Sequence, residues 1–322
     1  MTGERNVLVT GGSGYLGSAL VHLLSGPDHA GVATIRILDN MQNDGYRALL
    51  GLPEGANVQF IEGDILDIPT CRLALRGIDT VVHLAAVSHT PFSFQNPTWL
   101  EQVNHWATAH LVDSAVEAGV ERVIHASSTA VYGPGGPFAE TDPCRPAGPY
   151  AQSKLNAERD VLASQERGLH STVLRFGSHY GLAPRTRFDA VVNRFCYLAG
   201  VGRPLTIFGS GHQRRPVIHV DDSARLVAQV IMEPPEPGTV LNAATGNPSV
   251  EDVRDAILSV RPETRFRYTE QDVLSYLSLE VDNSRLGEYG FTPRHDLAGG
   301  VKEILDKFTG LSPMPVRQST DY

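Results

Sequence analysis

The chain has 322 residues, 41% of them hydrophobic and 20% charged, and a formal net charge of −9. That length suits one large or two ordinary domains at about 150 residues each, and the acidic balance excludes a nucleic-acid or anionic-membrane surface, since both need clustered cationic side chains. No apolar run approaches the ~20 residues of a membrane span and the opening MTGERNVLV lacks the layout of a signal peptide, so a cytoplasmic protein is expected.

The first element is a strand from Asn6 to Val9 that runs straight into Gly11, Gly14 and Gly17. A helix follows whose apolar face is Leu16, Leu20, Leu23 and Leu24. This arrangement reads as a nucleotide-binding turn. Gly11 suits the tight turn, Gly14 lets the backbone approach a pyrophosphate at the positive helix N-terminus, and Gly17 lets the helix pack close to the strand. A second strand, Thr34 to Leu38, ends at Asp39, about 20 residues past the glycines. An acid there accepts hydrogen bonds from the adenosine ribose and repels a 2′-phosphate, which favours NAD over NADP. Val58 to Ile61 gives a third strand, followed by Asp64 and Ile65, where a carboxylate and its neighbouring backbone can meet the adenine. A fourth, Thr80 to His83, runs into Leu84, Ala85 and Ala86, a stretch that lets a flat cofactor lie over the strand ends.

Further along, Pro97 to Gly119 has a helical pattern with a glycine stop, Arg122 to Ala126 is a strand, Pro149 to Gly168 a helix, and Ser171 to Arg175 a strand. Strands alternating with helices of this length imply right-handed βαβ units and an α/β fold with a doubly wound parallel sheet of the Rossmann type. Past Arg175 glycine and proline become frequent and segments shorten, so a smaller mixed C-terminal substrate-binding lobe is expected. Val217 to Val220 and Thr239 to Leu241 look like strands returning to the first lobe. The expected division is a cofactor domain over 1–177 with returning segments near 215–245, a substrate lobe over 178–214 and 246–310, and a tail over 311–322.

Two features carry chemistry. Tyr150-Ala-Gln-Ser-Lys154 opens a helix, so tyrosine and lysine lie at i and i+4 on one face. A tyrosine titrates near 10, and a cation beside its oxygen favours the phenolate and makes it a usable base. Lysine occurs only at Lys154, Lys302 and Lys307 among 27 basic residues, which makes its presence at position 154 informative. Upstream, Ala126 to Gly133 (ASSTAVYG) is a strand running into a polar turn whose hydroxyls can steady a developing ketone. Cys71, Cys144 and Cys196 are odd in number and widely spaced, which fits neither a disulfide framework nor a metal knuckle. His83 and His125 fall in strand patterns and read as packed residues. His219, Asp221 and Asp222 read as a strand-to-helix junction, and no metal is expected.

With these residues in view, the sequence resembles the extended short-chain dehydrogenase/reductases of the NAD-dependent nucleotide-sugar epimerase/dehydratase family. The likeness runs through VTGGSGYLG, Asp39-Asn40, HLAA, Asn104, SSTAVYG, YAQSK, LRFGSHYG, RRPVIHVDD and GFTPRHDL. It implies Tyr150 as base, Lys154 as its electrostatic partner and ribose anchor, and Ser128 as the hydroxyl completing the triad. It implies bound NAD, held by Gly11, Gly14, Tyr15, Leu16 and Gly17, by Asp39, Asn40, Asp64 and Ile65, and by Leu84, Ala85, Ala86 and Asn104, together with Tyr150 and Lys154. A nucleotide-diphosphate sugar, UDP-linked by preference, would meet Ser88, His89, Thr129, Ser178, His179 and Arg215. A homodimer through the helices near 100–118 and 150–167 is also implied.

The departures select among reactions. Where the dehydratases of the family carry an Asp-Glu pair after the serine, this chain has Thr129 and Ala130, and neither does acid–base work at neutral pH. A 4-epimerase needs only the core machinery, so this is the leading expectation. A dehydratase recruiting His89, His179 or Cys144, a 4-ketoreductase and a non-catalytic NAD sensor are the alternatives. Ser178 stands where the family has an asparagine.

Overall fold

A computed structural model describes residues 4–27, 31–42, 45–88, 95–269 and 278–311. Largely hydrophobic runs form the strands of a central sheet, buried in its middle and partly exposed at the Val58–Glu62 edge. These are β1 (Arg5–Thr10), β2 (Val32–Asp39), β3 (Val58–Glu62), β4 (Thr80–His83) and β5 (Arg122–Ser128), joined by His170–Phe176 and Thr239–Ala243. The seven form one sheet in the order β3, β2, β1, β4, β5, His170–Phe176, Thr239–Ala243, with every neighbouring pair parallel. The order reverses between β1 and β4, and in such sheets the crevice outside the carboxyl ends at the reversal is where ligands bind. Thr10 and His83 face each other there in register.

Helices close both faces. On one, α1 (Tyr15–Leu24) and the helix Val220–Met232 bury Leu20, Val21, Val227 and Ile231 against Val7, Val9 and Ile37. On the other, α2 (Ile68–Ala74) and the helix Ala107–Glu117 bury Ala74, Leu111 and Ala115 against Leu8, Val81 and Val123. Side chains of this size contribute about 1.5–3 kcal/mol each on full burial, so the sheet ends are rigidly placed. Among the described residues no helix is long and apolar enough to cross a membrane.

The helix from Pro97 does not run uniformly. Pro97–Glu101 passes through a π-helical turn, Gln102–Trp106, before Ala107–Glu117 resumes α geometry. Asn104 lies buried in the middle of this turn.

Past Phe176 a separate core forms from Phe195, Cys196, Leu205, Ile207, Ile257, Val301 and Ile304. Thr239–Ala243 returns to the large sheet as expected and takes the edge beside His170–Phe176. Val217 to Val220 comes back to the core of the first lobe, where Ile218 and Val220 pack in one cluster with Val7 and Val9, but it does not join the large sheet. With that edge occupied, Val217–His219 pairs instead with Ser178–Tyr180, just beyond the sheet, and Val220 opens a helix.

Candidate active site

The glycine turn is shaped for close approach. Gly11 has φ +70°, and a Cβ there would lie 2.7 Å from the backbone nitrogen of Ala85. A Cβ on Gly17 would run into the Gly11 carbonyl oxygen. Backbone therefore meets backbone where the turn leaves β1 and the loop Leu84–Ser88 leaves β4, and the first turn of α1 points its free N–H groups into the crevice. Asp39 ends β2 with its carboxylate on this turn, accepting the Ser13 N–H at 3.0 Å and the Met41 N–H at 2.9 Å. A carboxylate offers about four lone-pair sites, so capacity for a ribose diol remains. Asn40 donates to Asp64 at 2.8 Å, joining the ends of β2 and β3, and Ile65 is buried. These residues fit an NAD cradle, a fit that rests on the missing Cβ atoms and the acid at the end of β2.

Two residues expected at the cofactor serve it indirectly. The Leu16 side chain is packed in the core, and the Tyr15 hydroxyl donates to the Gly181 carbonyl, so both can offer a cofactor only backbone. Asn104 is 1% exposed and clasps the loop after β4: its Oδ1 accepts the Val87 N–H at 2.7 Å and its Nδ2 donates to the Val87 carbonyl at 3.0 Å. It also donates to Ser153 at 3.1 Å, on the helix that carries Tyr150.

A buried polar chain backs this clasp. His83 lies between Thr10 (2.7 Å to Nδ1) and Thr108 (2.8 Å to Nε2), and the Thr108 hydroxyl donates to the Asn104 carbonyl. Thr108 must therefore accept from Nε2–H, which leaves Nδ1 to accept from Thr10 and makes the ring neutral. Burial, aided by the Lys154 charge, brings its pKa down to about 3. His125 is buried beside it, as the strand pattern implied.

The candidate catalytic residues converge from two elements. Ser128 ends β5 and caps the turn Thr129–Tyr132, its Oγ accepting the Ala130 N–H at 3.2 Å. Tyr150 lies in the first turn of the helix Pro149–Ala163, started by proline at N1. Burial pushes the Tyr150 phenol up, while its hydrogen bond with Ser128 and the charge of Arg187 pull it down. Lys154 is 3% exposed and donates to the Ala126 carbonyl at 2.8 Å. Burial lowers its pKa to about 8, against the pull of Glu158 one turn on. The sequence pattern gave no signal for Arg187, whose charge is among the influences that lower Tyr150. Glu158 is 1% exposed and pairs with Arg175 at 2.8 Å, while Ser127 donates to the same carboxylate.

The substrate side is a strap, residues 181–189, laid across the glycine turn. Asn193 holds it, accepting the Gly181 N–H at 3.0 Å and donating to the Arg187 carbonyl at 2.7 Å and the Tyr15 oxygen at 2.9 Å. Arg185 donates to the Ser13 carbonyl at 3.1 Å. Arg187 reaches Ser88 at 2.6 Å and is gripped by Asp189. His179 packs near Phe176 and Tyr15, and burial beside Arg187 brings it to about 3, so it is neutral. Ser178 is exposed, and Arg215 is half-buried with its pKa lowered by burial. Thr129 departs from expectation. It is 4% exposed and its hydroxyl faces the Phe176 carbonyl at 3.3 Å, because Ser128 capping the turn directs the next side chain inward. His89 lies outside the described residues.

The structure brings His295 and Glu303 to His219, Asp221 and Asp222. The His219 Nδ1 accepts the Asp221 N–H at 3.3 Å, so Nε2 carries the proton and faces Glu303 at 3.3 Å. A protonated Nε2 is no metal ligand. Asp222 accepts the N–H groups of Arg294 and His295 at 2.9 and 3.0 Å, fastening the helix start to the later segment, which is a junction.

Comparisons with known proteins agree with this geometry. The model of the NAD dependent epimerase/dehydratase family matches residues 7–244. The chain is 31% identical over 307 residues to a dTDP-glucose 4,6-dehydratase of Streptomyces griseus, covering 92% of each. Among solved structures it is similar to MoeE5 in complex with UDP-glucuronic acid and NAD, with 31% identity and a TM-score of 0.82 over 94% of this chain and 98% of that one. It is also similar to a UDP-glucose 4-epimerase of Thermus thermophilus complexed with NAD, at 26% identity and a TM-score of 0.83 over 95% and 100%. The chain is an enzyme of the NAD dependent epimerase/dehydratase family, and NAD is its cofactor.

Proposed function

We propose that the protein is a nucleotide-sugar 4-epimerase. The observation that carries the reading is that Ser128, at the end of β5, and Tyr150, at the start of the helix that holds Lys154, act on one another while no acid or base stands at the two positions after Ser128. Thr129 turns inward onto Phe176 and Ala130 has no titratable group, so neither can protonate a leaving hydroxyl or remove a C5 proton. NAD, when bound, supplies a reversible hydride acceptor at C4.

The chain's own groups do the rest. Tyr150 takes the proton of the sugar 4-hydroxyl as the ketone develops and returns it when the alcohol re-forms. Ser128 hydrogen-bonds the phenol and stabilises its charged form, and Arg187 adds a favourable field. Lys154, fixed by the Ala126 carbonyl, is placed along the same helix face to anchor a ribose. Asn104 and Ser153 hold the loop and the helix in mutual register, which limits loss of orientation. Epimerisation then requires the ketone to turn over before reduction. We further infer a homodimer through the helical layers 97–117 and 149–163, where Trp106 is 51% exposed; a solution mass of one chain would contradict this.

The dehydratase reading has the curated relative from Streptomyces griseus in its favour. Mass spectrometry of the product separates the two. Turnover of a UDP-hexose is expected to give a product of unchanged mass, whereas loss of one water would overturn the epimerase reading.

A further inference from the structure

The helix that carries Tyr150 and Lys154 meets β5 through side-chain contacts that fall on consecutive strand residues. Lys154 donates to the Ala126 carbonyl at 2.8 Å, and one turn further on the Glu158 carboxylate accepts the Ser127 hydroxyl. Ser128 is the next residue of the strand. Helix side chains four apart lie on one face, so this face docks on β5 directly before Ser128.

Arg175 secures the carboxylate from the neighbouring strand. It donates Nη2–H to Glu158 at 2.8 Å and Nε–H at 3.1 Å, and its Nη1 donates to the Tyr132 hydroxyl at 2.8 Å. Tyr132 ends the turn that Ser128 caps, so Glu158 and Arg175 together hold the chain on both sides of Ser128, at Ser127 and at Tyr132. All four of these side chains are buried. A buried ion pair is weak evidence for stability, since apolar side chains of similar volume often do as well. A pair fastened to both catalytic elements therefore points to a role beyond packing.

The electrostatics of Lys154 supply that role. It is 3% exposed, and the titratable groups around it are Tyr150 and Glu158 on its own helix, His83 on β4, His125 on β5 and, through Glu158, Arg175. Burial keeps both histidines neutral. It also works against the Lys154 ammonium, whereas Glu158 favours it.

We propose that Glu158 is a positioning residue of the catalytic set: with Arg175 it holds the helix of Tyr150 and Lys154 against β5 next to Ser128, and its negative charge maintains Lys154 as the ammonium. This role rests on the reading that Tyr150 and Lys154 act together on the sugar and its cofactor. Glu158, buried, acts only through Lys154, Ser127 and Arg175.

The chain has only three lysines, Lys154, Lys302 and Lys307, which makes the test direct. In the NAD-loaded enzyme with isotope-labelled lysine, a pH titration followed by nuclear magnetic resonance gives one curve per lysine, and Lys154→Met assigns the curve of interest. Glu158→Gln keeps an acceptor for Ser127 and removes the charge. It is expected to lower the Lys154 midpoint by about one pH unit, the low end of what a nearby opposite charge supplies. The alkaline limb of kcat with UDP-glucose is expected to move down by the same amount, with KM within about threefold of wild type. Tyr132→Phe is the control, since it takes a hydroxyl from the same network and leaves the carboxylate, and the Lys154 midpoint is expected to stay in place. An unmoved midpoint in Glu158→Gln would overturn the proposal, as would an equal shift in Tyr132→Phe, which would assign the effect to loosened packing. Should Glu158→Gln fail to fold, Glu158→Leu with Arg175→Met replaces the pair by apolar side chains. In that protein a lowered midpoint supports the proposal and an unmoved one overturns it. Absence of 4-epimerisation by the wild-type enzyme would count against the function proposed above and leave the lysine titration to decide this role.

Discussion

The two sides of the cleft are built differently. On the cofactor side, the binding groups are backbone at the ends of strands whose core residues Val7, Val9, Ile37 and Val82 are fully buried, and the acid Asp39 lies at the end of one of them. On the side proposed for the substrate, the groups on offer are side chains on a partly exposed strap, held by contacts between residues 166 to 178 positions apart, such as Tyr15 to Gly181 and Asn193 to Tyr15. A cofactor shared by many reactions is met by features the fold supplies wherever the sheet reverses. A particular sugar is met by side chains that can be exchanged without disturbing the sheet. The catalytic helix belongs to both, since Tyr150 opens it while Lys154 and Glu158, further along the same face, bond the Ala126 carbonyl and Arg175 of the sheet.

If that contrast is right, the largest stability effect lies on the sheet side. Glu158→Ala leaves Arg175 buried without its carboxylate and removes the acceptor of Ser127, and denaturant unfolding is expected to show a loss of about 3–5 kcal/mol. A loss below about 1 kcal/mol would mean that the strands near the triad are not organised by this pair.

The second effect is a pH dependence. The Lys154 pKa falls from 10.5 in its ordinary state to about 8 in the folded, cofactor-free protein. Between those values the unfolded chain binds more protons than the native one, so stability rises with pH from about 8 to about 10.5, by on the order of 3 kcal/mol in total. Lys154→Met is expected to abolish that rise, and a rise retained in the variant would assign it to another group.

The smallest of the three lies on the strap. Asn193→Ala frees the strap from Tyr15, Gly181 and Arg187. Stability is expected to fall by about 1–3 kcal/mol, with KM for the sugar raised about tenfold and the NAD content of the purified protein unchanged. Loss of NAD together with sugar affinity would show that the two sides are one unit.

These differences explain what the sequence could reveal. The central strands were legible because buried strands are largely apolar runs, Gly11 and Gly17 because close backbone approach leaves no room for a side chain, and Asp39 because of its spacing from them. The Tyr150–Lys154 pair was legible as an i, i+4 face, but the field at Tyr150 was not, since Arg187 arrives from a loop with no periodicity. Asn104 was visible as a position, while its clasp on Val87 is a side-chain contact that no hydrophobic pattern encodes. Thr129 shows the same limit on a smaller scale: the Ser128 cap decides which way it points. The strand Val217–His219 was recognised as a strand, but its pairing with Ser178–Tyr180, away from the large sheet, has no signal in the local pattern.

The central claim is that C4 is oxidised and reduced again with no other carbon involved, and proton nuclear magnetic resonance of turnover in deuterated water tests it most directly. With UDP-glucuronate and UDP-glucose as substrates, the account predicts a C4 epimer that carries no deuterium on any ring carbon. Deuterium at C5 would contradict it, because it would require an acid–base group at the sugar that Thr129 and Ala130 cannot supply.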